Sequence, residues 1–271
     1  MRNSFGKTSH LYLKATLKNE QTILEDVSFT APFKIMHPFY SYQEPQTYHH
    51  LPELKDCMTI MCLTASAGIM AGDKQHYEII VENGAKLEFV SQSYEKIHKM
   101  EEGSAQRSAR LYVAPHSLLY YNPQPSLPFK DSAFSSTQCI HLEDHTSQLI
   151  YKEILSAGRC ARGEQFEYRY YHNRIHIYEG SQIIYADHTK LEPSLMPLNS
   201  LGFFEGYTHL GTLLLFHLRK DAQWVNSVRD CIENDPHITG GISQNEHGFI
   251  IRLLGKQSEQ IANLMDKILE L

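Results

Sequence analysis

Three stretches of this sequence bring reactive residue types close enough together to do chemistry. Gly158-Arg159-Cys160-Ala161-Arg162-Gly163-Glu164 packs two guanidinium groups and a carboxylate between glycines. That set has two readings. It is a surface turn closed by a salt bridge, or a charge cluster lining a groove or channel, where Arg159, Arg162 and Glu164 satisfy one another in scarce water. Cys139, His141, Glu143 and His145 occupy alternate positions, which share one face if the segment is a strand. Cys139, His141 and His145 are therefore candidate metal ligands. At ~3.3 Å rise per residue, however, His141 and His145 would stand ~13 Å apart on a straight strand. A solvated polar face and a transient soft-metal contact are the readings that remain. Gly68-Ile69-Met70-Ala71-Gly72-Asp73-Lys74 is the nearest approach to a phosphate loop. The acid after its second glycine would repel phosphate, so a turn with close backbone approach fits better.

What is missing narrows the function. There is no Gly-x-Ser-x-Gly elbow and no complete phosphate loop, so neither a serine nucleophile nor a nucleotide site is expected. The paired acids Glu101-Glu102, and Asp131 with Glu143, belong to no catalytic motif; a chain that binds macromolecules without catalysing a reaction is the expectation. Histidine is abundant, 16 of 271 residues, which suits metal handling, yet no stable metal centre or tightly bound cofactor emerges from the positions. Five cysteines, Cys57, Cys62, Cys139, Cys160 and Cys231, are an odd number without a Cys-x-x-Cys pair and read as reduced thiols. A net charge of −6 argues against a nucleic-acid partner. No apolar run approaches the ~18 residues that cross a bilayer, and Met1 to Lys7 carry no signal-like stretch; a cytoplasmic protein without a membrane partner is expected.

The elements that must position these residues are mostly strands. Leu11, Leu13, Ala15 and Leu17 alternate with polar residues, as do Leu87 and Phe89. Phe166, Tyr168 and Tyr170, then Ile175 and Ile177, a Glu179-Gly180-Ser181 turn, and Ile183 and Tyr185 predict a hairpin. Period three-to-four appears at Trp224, Val225, Val228, Cys231 and Ile232, behind a capping Asp221, and again from Ile261 to Leu269, so the chain should end strand, helix, strand, helix. The stretch from Phe39 to Leu54, with Tyr40, Tyr42, Tyr48 and His49-His50, lacks periodicity and reads as a loop carrying candidate interface aromatics. One domain over residues 1–271 is the simplest organisation.

Taken together, five blocks resemble the urease accessory protein family called UreD in many bacteria and UreH in others. They are Gly68-Ile69-Met70-Ala71-Gly72-Asp73; Ser91 to Ile97, with Gln92 and Lys96; Tyr121-Asn122-Pro123-Gln124 with Phe129; Gly158 to Glu164, bounded by Gly158 and Gly163; and Gly206 to Thr212, with Tyr207 and His209. Ala67 and Ala71 stand where the family commonly pairs glycines, and the usual Pro-Pro before the turn is absent. The resemblance implies a mainly β fold, strands wound into a β-helix-like or barrel-like body with about two α-helices near the C-terminus. It implies a non-enzymatic maturation factor that binds UreF, through it the GTPase UreG, and the urease apoprotein, and that assists nickel insertion. Nickel would touch this chain transiently, along an internal path. Carried over by position, that path points to Asp73 and Glu164, with Arg159 and Arg162 tuning the charge. The alternative is a β-rich protein-binding scaffold unrelated to urease.

Overall fold

The computed structural model describes residues 6–40 and 52–271, so Tyr42, Tyr48 and His49-His50 lie outside the described residues. The alternation at the start forms β1 (Thr8–Lys18), which buries Leu11, Leu13 and Ala15 and leaves Leu17 exposed. It folds back as β2 (Gln21–Phe29), followed by short β3 (Phe33–Ile35) and β4 (Phe39–Tyr40) and a 3-10 turn at Pro52–Leu54. From there the chain winds between two sheets. β5 (Met58–Thr64) lies in one sheet, β6 (Lys74–Val81) in the other, and β7 (Lys86–Ser91) returns to the first. The short β8 (Glu95–Ile97) leads to β9 (Ala105–Val113), β10 (Leu118–Asn122), the short β11 (Ser126–Pro128), β12 (Ala133–Leu142) and β13 (Gln148–Ser156). Within each sheet the wound strands run parallel: β6, β9 and β12 in one, β5, β7, β10 and β13 in the other.

Antiparallel additions finish both sheets. β14 (Tyr170–Glu179) pairs parallel with β12 and turns at Gly180 into β15 (Gln182–Leu191), the hairpin that the sequence predicts. Tyr168 precedes that hairpin in a loop rather than a strand. β16 (His209–Phe216), α1 (Ala222–Glu233), β17 (Ile238–Gln244), β18 (Gly248–Gly255) and α2 (Ser258–Leu269) complete the chain. The seven-stranded sheet runs β15-β14-β12-β9-β6-β1-β2; the eleven-stranded one follows β17-β18-β16-β13-β10-β7-β5-β3, with β4, β8 and β11 off that line. The β-helix-like winding is present. A barrel is not: among the described residues neither sheet's strand order closes on itself.

The eleven-stranded sheet is covered on both faces, which is why its strands read as continuous apolar runs instead of alternating ones. Leu119, Tyr121, Leu149, Tyr151, Leu214 and Phe216 face the other sheet. Leu118, Tyr120, Ile150, Leu213 and Leu215 face the helices. Asp221 caps α1 by accepting from the Trp224 amide at 2.8 Å. α2 presses so closely on β16 that a Cβ at Gly211 would meet Ile261 at 2.5 Å. The same contact buries Lys152 of β13, whose side chain is 6% exposed and reaches Asp266 of α2 at 2.6 Å. Replacing Asp266 with alanine leaves that ammonium without its carboxylate. The expected loss, read by chemical denaturation, is about 1–3 kcal/mol, below the value for a fully enclosed pair because Asp266 is partly solvated.

Candidate functional site

Winding places the interstrand loops at two opposite ends of the body, and all five family-like blocks come together at one of them. Gly68, at φ +142°, brings the first turn against β8, where a Cβ would lie 2.3 Å from the Lys96 carbonyl oxygen. The Ile69 amide donates to that carbonyl at 2.8 Å. Asp73 closes the turn over Gly72: its Oδ2 accepts from the Met70 amide at 2.8 Å and its Oδ1 from the Lys7 amide at 3.1 Å. Next to this turn, His98 packs edge-on to Phe129, ring centroids 4.9 Å apart. The Arg159 guanidinium also stands over the Phe129 ring, 4.3 Å from its centroid.

Arg159 then grips Glu164 through Nε at 3.0 Å and Nη2 at 2.5 Å, while the Lys130 amide donates to Glu164 Oε1 at 2.6 Å. Burial pushes the Glu164 carboxyl up, but hydrogen bonds from Arg159 and the Lys130 amide outweigh it and hold the group below its ordinary value. Of the three charges grouped in the sequence, only these two pair. Arg162 is exposed in a 3-10 turn that Gly163 ends in the left-handed region. Gln92 and Lys96 are also exposed. Tyr207 is half-buried, and its amide donates to Phe204 at 2.7 Å. His209 is buried beside the Thr208 hydroxyl, and burial pulls its pKa down to about 4, so it is neutral near pH 7.

The candidate metal ligands separate. Cys139 and His141 sit on the half-buried outer face of β12, where His141 stacks on Tyr178 with centroids 4.8 Å apart. β12 ends at Leu142, so His145 leaves the strand and lies in the turn at the opposite end of the body.

Between the sheets, starting at the end where the blocks meet, lies a band of polar side chains, of which Gln75, Arg107, Gln138, Glu153 and Asn173 belong to none of the five blocks. The Arg107 side chain, 9% exposed, pairs with Glu95. Its Nε and Nη2 also donate to Gln75 Oε1 at 3.0 and 2.5 Å, and the rings of Tyr77 and Phe134 lie against the guanidinium. Burial alone would lower the Arg107 pKa; the Glu95 carboxylate overrides that and holds it above its ordinary value. Glu95, Arg107 and Tyr77 border a cavity of about 60 Å³, also lined by Tyr121, Ser91 and Lys96. At ~10–15 Å³ for one water it has room for a few. A neighbouring recess of about 510 Å³ carries Asp73 at its mouth and Gln75 in its wall.

Further across the sheets, level with Arg107 in the strand register, Glu153 accepts from Tyr151 Oη at 3.2 Å, Tyr171 Oη at 3.2 Å and Asn173 Nδ2 at 2.8 Å. Desolvation pushes its carboxyl up, and the tyrosine hydrogen bonds do not cancel the shift. Glu153 is half-buried rather than sealed in side chains. Gln138 Nε2 donates to Tyr151 Oη at 2.6 Å, while its Oε1 is buried without a donor. Tyr121 lies within electrostatic reach of Arg107, Glu95 and Glu153 and so links the two groups. Beyond Glu153, Arg252 pairs with Asp187 at 2.8 Å.

The family model described as "UreD urease accessory protein" matches residues 7–271. The chain belongs to this family. A urease accessory protein UreD of Acetivibrio thermocellus is 36% identical over 99% of this chain and 98% of that protein. Urease accessory protein UreH of Helicobacter pylori strain G27 is 35% identical over 99% and 96%. UreD of Lachnoclostridium phytofermentans is 28% identical over 96% and 91%.

In this UreD-family chain the signal for the interior band is the phase of its strands. In β9 the inward positions are Ala105, Arg107, Ala109, Leu111 and Val113, which puts Arg107 in the apolar phase. β12 carries Gln138 in phase with Ile140 and Leu142, and β14 carries Asn173 with Ile175 and Ile177. A polar residue in the buried phase of a strand is costly unless partnered, and it marks an interior with a use for polarity.

Proposed function

We propose that this chain is a non-catalytic urease maturation factor of the cytoplasm. It binds UreF, through UreF the GTPase UreG, and the urease apoprotein, and assists nickel insertion into the urease active site. Membership of the urease accessory protein family over residues 7–271 carries the reading. Nickel is cargo in this scheme, not a resident cofactor. Its path starts at the recess bearing Asp73, passes Gln75 and the Glu95–Arg107 pair, and continues along Tyr121 and Tyr151 to Glu153. Such a path suits a borderline divalent cation: the oxygen donors are spaced out, and none forms a chelate tight enough to trap the ion. Arg107, in contact with Glu95, keeps that carboxylate from holding a cation strongly. Glu164 and Arg159 brace the loops around the mouth.

The test is nickel-dependent urease activity in cells with the urease subunits and all accessory proteins, with this chain present, deleted, or carrying Asp73→Ala or Glu164→Ala. Deletion is expected to abolish activity and leave urease without nickel, while UreF and UreG co-purify with the intact chain. Each substitution is expected to reduce activation severalfold with UreF still bound. Full activity on deletion would overturn the maturation reading; full activity in both variants would overturn their part in the path.

A further inference from the structure

The end of the body opposite the five blocks carries a second cluster. Glu179 is the last residue of β14, His217 follows β16, and His247 lies in the turn between β17 and β18. One oxygen, Glu179 Oε2, stands 2.9 Å from His217 Nε2 and 3.2 Å from His247 Nδ1. The three donor atoms all lie within 4.8 Å of one another, the one such three-residue group among the described residues. In a first-row cation site with ~2.0–2.2 Å bonds, neighbouring ligand atoms stand about 2.9–3.4 Å apart, which is the spacing found on both sides of Glu179 Oε2.

The protonation pattern points the same way. His217 Nδ1 lies 2.8 Å from the Ser147 carbonyl oxygen, which can only accept, so Nδ1 carries the hydrogen. That leaves Nε2 as the ring atom facing the Glu179 carboxylate. Nε2 is buried 2.9 Å from Glu179 Oε2 without the alignment of a hydrogen bond, which leaves a ring nitrogen and a carboxylate oxygen side by side and open to a shared metal ion. An imidazole whose other nitrogen donates to a carbonyl is also the usual orientation of a metal-bound histidine.

The backbone holds this arrangement in place. His217 sits at φ +58°, a left-handed conformation that is uncommon and strained for a residue with a side chain. Its amide donates to the His247 carbonyl at 3.0 Å, locking the two histidines together. Asn245 Oδ1 accepts from the amides of His247 and Gly248 at 3.0 and 2.8 Å, fixing the turn that presents the second ring. His217 and His247 line an open recess that His145 also borders, so an ion has access and room for water as a further ligand.

We propose that Glu179, His217 and His247 form a binding site for a divalent first-row transition metal, of the zinc, cobalt and nickel class that two imidazoles and one carboxylate suit. The bound ion ties the seven-stranded sheet, through β14, to the eleven-stranded sheet, through β16 and the β17–β18 turn. The site is separate from the polar interior band and does not depend on the maturation reading. Titration of Co2+ into the purified full-length chain, read by visible absorption and by equilibrium dialysis, is the test. One equivalent is expected to bind and to raise the thermal midpoint. Glu179→Gln and His247→Ala, at a strand end and in a turn, are each expected to weaken binding at least tenfold, whereas His141→Ala on the outer face of β12 retains it. If one of the two ligand variants fails to fold, the other carries the comparison. Absence of a bound equivalent, ligand variants that bind as tightly as the wild type, or an equal loss in His141→Ala would overturn the site.

Discussion

Replacing Glu95 with alanine is expected to lower the unfolding free energy by about 3–5 kcal/mol, because it strands a guanidinium inside the sandwich. Arg107 is 9% exposed and always charged, so it cannot escape by losing its proton. Gln75 and the faces of Tyr77 and Phe134 remain as neighbours, but none carries a negative charge. For a chain of this length the loss corresponds to a fall of roughly 5–9 °C in thermal midpoint. The double variant Glu95→Leu with Arg107→Met should recover much of it, since apolar residues of similar volume commonly replace a buried pair at little cost. A double variant as unstable as Glu95→Ala would mean that the pair organises the wound strands around it. The destabilisation should be read on the purified chain, so that it is not confused with an effect on urease maturation.

How far the sequence reaches depends on whether a feature is local. The hairpin of β14 and β15 is local: alternation, turn and alternation lie within about two dozen residues, and period alone finds it. The two helices are local for the same reason, with Asp221 as the capping signal. Period-two strands do not by themselves tell winding from closure; the parallel pairings of β6 with β9 and β9 with β12 decide that, and they join residues about thirty apart. The Gly158 to Glu164 block shows the limit within one motif. Arg159 and Arg162 are equivalent as letters, yet the 3-10 turn between them aims only Arg159 at Glu164. The histidine cluster is the extreme case. Glu179 and His247 are 68 residues apart and share no motif, so only the meeting of the two sheets brings them together. The one signal in the sequence, an excess of histidine, suits metal handling but singles out none of these positions.

Glu153→Gln should separate stability from function more sharply than any other substitution in the molecule. The carboxyl of Glu153 titrates above its ordinary value of 4.5 in the folded chain, mainly because burial disfavours its charged form. The folded state therefore holds that proton to higher pH than the unfolded chain does. Stability contributed at this position is greatest at low pH and falls as pH rises from about 4.5 through the raised folded value, and stays lower above it. A glutamine carries no charge to bury. Its amide can still accept from Asn173, and the Tyr151 and Tyr171 hydroxyls can donate or accept, so the hydrogen bonds survive. Near neutral pH the variant should be at least as stable as the wild type, with a flatter stability profile above pH 4.5. A carboxylate kept where an amide would be less costly has a reason outside folding. If that reason is passage of nickel, the glutamine variant binds UreF normally yet activates urease at least tenfold less well, because an amide oxygen carries no net charge to draw the ion inward. Full activation by a stable Glu153→Gln chain would remove this carboxylate from the path and leave the polar band with a purely structural role.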